Sequence, residues 1–228
     1  MSGTHRDYYA GHVMDRVNQI QLAVIGLGIA ILAINYLSLV TFDSDVLTSP
    51  LFWQRLVLLM LVILFASYTA LVYNAYPVRM RNSESDRIVG GYPIRIFALF
   101  LIDIFQVAIA AGMFGVLFVP GAYQLHSSEL CGAGLAAQGC IGFSEHAIEM
   151  IFVLGAFWHL SATAWYAISD GVGVRDVRVH GAFAVVYAGL VSVSYHVDWF
   201  GPWIAAGSFA AVLLALFLVQ GQRWLSDD

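Results

Sequence analysis

Asp103 is the one carboxylate that the sequence sets deep inside an apolar run. An acid there costs ~2.5–3.5 kcal/mol on insertion scales, so an intramembrane carboxylate marks an ion or proton pathway by default. Counted at ~1.5 Å per residue, Asp103 falls ~12 Å into the third apolar run and His159 ~15 Å from the end of the fourth, so the two are expected at one depth. Gln106 shares the helical face of Asp103, and Thr163 and Tyr166 share that of His159. If these faces meet, they form a buried polar layer of Asp103, Gln106, His159, Thr163 and Tyr166. An acid beside an imidazole stabilises its charged form, which is the material of a proton relay or a cation site. The plainer alternative is an interhelical hydrogen bond, worth ~0.6 kcal/mol on average in membranes. Ser67, Tyr68, Thr69 and Tyr187 lie at similar depth and extend the layer toward a polar pocket. His180 falls at the mouth of the fifth run, which leaves His159 with no histidine at its own depth.

A second group of polar residues collects at the opposite ends of the runs. His126, Glu129, Glu145, His146, Glu149, His196 and Asp198 fall in the third connection or near the ends of runs four and five. His146 and Glu149 stand three residues apart on one helical face, and imidazole with carboxylate suits zinc, iron or manganese. The candidate ligands are His126, His146, Glu149 and His196; the alternative is a hydrated membrane interface. A b-type haem clamped by His146 and His196 is the redox version of the same site. No cofactor follows from the sequence. Cys131 and Cys140 share the third connection, and their separation in a Gly- and Ala-rich segment suits a local disulfide in an oxidising compartment rather than a metal pair.

Several chemistries are excluded by residue type. The chain contains no lysine, so a retinal or pyridoxal Schiff base has no amine to form on. Gly26 and Gly28 lie inside an apolar run without a third glycine, and there is neither a phosphate-binding loop nor a nucleophile elbow. A net charge of −5 with no dense basic cluster excludes nucleic acid as a partner.

The elements that must position these residues are six long apolar runs, at about 18–42, 52–76, 94–119, 147–169, 179–199 and 202–222. Most exceed the ~18 residues needed to cross a ~30 Å hydrocarbon core as helix; the fifth is apolar only from 181 and must borrow flanking residues. Pro50 opens run two, and Asn74 and Pro77 are expected to close it, because proline lacks a donor and crowds the preceding turn. Gly90, Gly91 and Pro93 lead into run three, and Gly201 and Pro202 make the last turn. All of the ten arginines except Arg55 fall on alternate connections and at the termini. The positive-inside rule therefore sets both termini in the cytoplasm and the Cys131–Cys140 segment outside. Small residues at four-residue spacing, such as Gly26 and Ala30 or Gly207, Ala211 and Ala215, predict close helix packing within the chain or between chains.

With 228 residues and 60% hydrophobic content, the expected fold is all-α: a single polytopic transmembrane six-helix bundle in a plasma or bacterial inner membrane. Three functions follow as expectations. The first is a small proton-coupled transporter or channel using the buried Asp/His layer. The second is a non-catalytic subunit of a membrane complex, or a homo-oligomer, partnered through the small-residue stripes. The third is a membrane redox or metal enzyme with haem b or metal at the outer face.

Overall fold

The structure, a computed structural model, describes residues 14–42, 44–48, 50–82, 93–118, 147–169, 174–197 and 199–226. They form α1 (Met14–Phe42), a short 3-10 helix (Ser44–Thr48), α2 (Pro50–Asn82), α3 (Pro93–Leu117), α4 (Ala147–Ile168), α5 (Val174–His196) and α6 (Pro202–Ser226). Three of the helices begin on proline, whose missing donor is harmless in a first turn. At α6 the preceding Gly201 carbonyl accepts the Ala205 N–H at 3.0 Å. Two boundaries differ from the sequence reading. Helix α2 runs through Pro77 to Asn82: proline removes a single donor from the ladder, and the helix resumes beyond it. Helix α5 begins at Val174, well before the apolar run starts, because backbone hydrogen bonding continues through charged turns.

All six helices are long and apolar enough to cross a membrane. Contacts pass from α1 to α3, α4, α5, α6 and α2 and back to α1, a closed ring of six helices, with α2 also touching α3 and α4 also touching α6. The outward surface is apolar: Leu27, Ile34, Leu37, Met60, Phe97, Val185 and Leu218 are all exposed. Polar side chains turn inward instead, among them Asn18, Gln21, Asn35, Thr69, Asp103, Gln106, His159, Asp176 and His180. Such an inverted distribution is what a bundle in hydrocarbon requires, since lipid solvates leucine and not an amide. The centre is filled by rings: Phe65 on α2 meets Trp158 of α4 edge-on with centroids 5.3 Å apart, and Phe152, Tyr187 and Phe209 continue the cluster.

The closest approach of α1 is made at a glycine that the four-residue spacing passed over, while two of the stripes it picked out face outward. Gly26 and Ala30 face outward, as do Gly207, Ala211 and Ala215, and among the described residues beyond the helix itself nothing lies within 4 Å of where a Cβ on Gly26 or Gly207 would be. The α1–α3 contact is made by Gly28, where an added Cβ would stand 2.7 Å from Cγ of Phe114. Arg55, the exception to the arginine asymmetry, is only 4% exposed. Its guanidinium donates to the Leu117 carbonyl at 3.3 Å and the Tyr36 hydroxyl donates to the same oxygen at 3.0 Å. A cation at the negative end of α3 is favoured by the helix dipole. Arg55 therefore fastens three helices together.

Candidate functional site

Helix α4 presents His159 to the interior one turn beyond Gly155, and the imidazole is fully buried. Its partner is a histidine. Nδ1 of His159 lies 3.0 Å from Nδ1 of His180 on α5, which is also fully buried. The expectation that His180 sits at the mouth of its helix is thus corrected: α5 starts at Val174, so His180 is well inside it and reaches the depth of His159. The sequence carried a signal for this. Asp176 and His180 are four residues apart and both buried, while Arg175 and Arg178 are exposed, so the first turns of α5 form an amphipathic helix with its polar inner face toward the bundle. Asp176, 1% exposed, is a second buried carboxylate beside Asp103.

An Nδ1···Nδ1 contact of this length fixes the chemistry of the pair. One ring must carry hydrogen on Nδ1 and the other must present a bare lone pair, so the two neutral imidazoles hold opposite tautomers. A single proton occupies the contact. The nitrogens touch, which leaves no gap for a haem between them.

Aromatic rings surround the pair. His159 is stacked near-parallel with Phe183 (5.3 Å, 21°) and Tyr187 (5.4 Å, 25°), and Trp158 meets it edge-on at 4.9 Å. Tyr166 stacks on His180 at 5.1 Å with planes 16° apart. Nε2 of His159, Nε1 of Trp158 and the hydroxyl of Tyr187 are buried in this cluster without a hydrogen-bond partner among the described residues. Each such atom left dry costs roughly 1–3 kcal/mol. Proteins keep groups of this kind where water, a proton or a ligand enters.

The other residues of the expected layer divide. Asp103 and Gln106 are buried on α3, which packs against α4. Tyr166 belongs to the histidine cluster. Thr163 turns its hydroxyl back to the His159 carbonyl at 2.8 Å, so it serves its own helix. Of the pocket residues, Tyr68, Thr69 and Tyr187 are fully buried. The Gln21 amide on α1 donates to the Thr69 hydroxyl, which donates on to the Ala66 carbonyl at 2.7 Å. The amide oxygen of Gln21 is another buried atom without a partner.

At the opposite end, His196 is exposed on the last turn of α5. Glu149 is half-buried in the first turn of α4, with one carboxylate oxygen enclosed and lacking a hydrogen-bond partner. His126, His146, Cys131 and Cys140 lie outside the described residues. Among the described residues no three histidine, cysteine or acidic side chains gather as a metal would need. Compared with protein-family models, with curated proteins and with solved structures, the chain matches none.

Proposed function

We propose that this chain is a small proton-coupled transporter or channel of a plasma or bacterial inner membrane, working through its buried histidines and Asp103. The observation that carries the reading is the 3.0 Å contact between two fully buried imidazoles on neighbouring helices. Imidazole is the side chain whose proton exchanges near neutral pH, and two in contact pass a proton from one helix to the next. Asp103, on the helix beside α4, supplies the buried negative charge against which a proton or cation can enter. The arginine asymmetry supports cytoplasmic termini, which puts the histidine pair in the cytoplasmic half and the Cys131–Cys140 disulfide outside.

The test is proton movement into proteoliposomes under an imposed pH gradient. His159→Gln and Asp103→Asn should each abolish it while the purified bundle keeps its helicity and elution volume. Undiminished flux in both variants would refute the reading. The second reading, a subunit of a membrane complex, is favoured by one observation: on the outward stripes of α1 and α6, a Cβ on Gly26 or Gly207 would meet nothing within 4 Å among the described residues beyond its own helix. Gentle solubilisation followed by mass measurement of the particle separates the two, since a stoichiometric foreign subunit would support the second.

A further inference from the structure

The rings beside the histidine pair bear on how many protons it can pass. Suppose His159 begins with hydrogen on Nδ1 and His180 with hydrogen on Nε2. A proton arriving at Nε2 of His159 makes it an imidazolium. Its Nδ1–H bond then breaks as a new N–H bond forms at Nδ1 of His180, and His180 releases its Nε2 proton. The charge has crossed one contact and the atoms balance. Each ring now holds the other tautomer, and Nε2 of His159, already protonated, cannot take a second proton. Passage in the same direction requires both rings to turn over.

His159 is held against such turning. Phe183 and Tyr187 stack on it at 5.3 and 5.4 Å, while Trp158 and Phe65 stand edge-on at 4.9 and 6.3 Å. A rotating imidazole would sweep through those rings. Tyr187 in turn lies where only a glycine leaves room, since a Cβ on Gly155 would be 2.7 Å from its Cε1. The aromatic faces also favour a cation within ~6 Å, so the lock does not oppose the transient imidazolium. The other ionisable groups near the pair are Tyr166, stacked on His180, and Asp176, one turn before it on α5.

We propose that Phe183 and Tyr187, seated by Gly155, are positioning residues that hold the His159 ring against turning, so that the pair passes one proton per conformational cycle and the protein is a coupled transporter rather than an open proton channel. The proposal rests on the proton-transport reading for its purpose, but its first measurement does not depend on transport. In ¹⁵N spectra of the full chain in nanodiscs, a coupling across the Nδ1–H···Nδ1 contact of His159 and His180 should be resolved, as rings that stay facing each other require. Phe183→Leu and Tyr187→Leu should average that coupling away by freeing the ring, whereas Tyr187→Phe, which keeps the stacking ring, should behave as the parent. In proteoliposomes under a potassium diffusion potential, with proton entry read by a pH-sensitive dye, the parent and Tyr187→Phe should be tight. Both leucine variants should leak protons several-fold faster, and adding His180→Gln should abolish that leak, which a merely loosened bundle would not do. Absence of that coupling in the parent would overturn the proposal, as would leucine variants that change neither coupling nor leak, or a leak indifferent to His180→Gln. A coupling lost in the leucine variants, in a protein that moves no protons, would leave the lock standing and remove the transport reading instead.

Discussion

Alanine at Gly28 and at Gly26 should have opposite effects, because the two positions, two residues apart in one helix, lie on opposite faces of it. At Gly28 the new Cβ would stand 2.7, 2.9 and 3.0 Å from Cγ, Cδ2 and Cδ1 of Phe114. Carbon pairs prefer ~3.5–4.0 Å, so the contact must open by roughly an ångström. Cγ is the atom by which the ring is attached, so it cannot swing clear without a new rotamer or a shift of α3, and Phe114 is only 4% exposed. Overpacking of this kind costs ~1–3 kcal/mol. Against it stands the gain from replacing a helical glycine, ~0.5–1 kcal/mol. The net for Gly28→Ala is a loss of up to about 2.5 kcal/mol, with a midpoint of roughly 1 kcal/mol. At Gly26 an added Cβ would meet nothing within 4 Å among the described residues beyond its own helix, and only the gain of ~0.5–1 kcal/mol remains. Reversible unfolding by sodium dodecyl sulfate titration of the detergent-solubilised protein measures both. Phe114→Ala removes Cγ and the ring together, and in its background Gly28→Ala should no longer be destabilising, while Gly26→Ala should be unaffected. Equal stabilities for the two alanine variants would refute the packing of α1 on α3 at this glycine.

Tyr36→Phe removes one of two donors to the Leu117 carbonyl and should cost ~0.5–1.5 kcal/mol. In an Arg55→Met background the same change should cost more, because the remaining donor is then gone, and a double-mutant cycle in the same titration reads the coupling. Thr69→Val should cost ~1–2 kcal/mol: it deletes an interhelical bond and strands the Gln21 amide, which already has one atom unpartnered. No loss on this substitution would mean that water satisfies Gln21. Reporter fusions should place a tag after Trp224 in the cytoplasm and one between Cys131 and Cys140 outside. Mass analysis after non-reducing alkylation should find those cysteines joined; both tags on one side would remove the topology.

The six helices, their all-α class and the inward placement of Asp103, Gln106 and His159 were legible in the sequence, because hydropathy is a local property and a carboxylate, amide or imidazole within a span has no favourable place except the interior. The burial of His159 was legible for the same reason. Its partner was not. An apolar window ended run five at Gly181 and set His180 outside the layer, whereas the helix begins at Val174 and carries it inside; only the alternation of buried Asp176 and His180 with exposed Arg175 and Arg178 betrays this. The packing glycines were misread in a related way. Four-residue spacing favours Gly26 over Gly28, but the choice between them is the rotation of α1 about its axis. In lipid, apolar burial does not set that rotation. It is decided by shape, by Phe114 against Gly28 and Tyr187 against Gly155. Composition therefore determined which residues go inside, and tertiary packing alone decided that His159 meets His180.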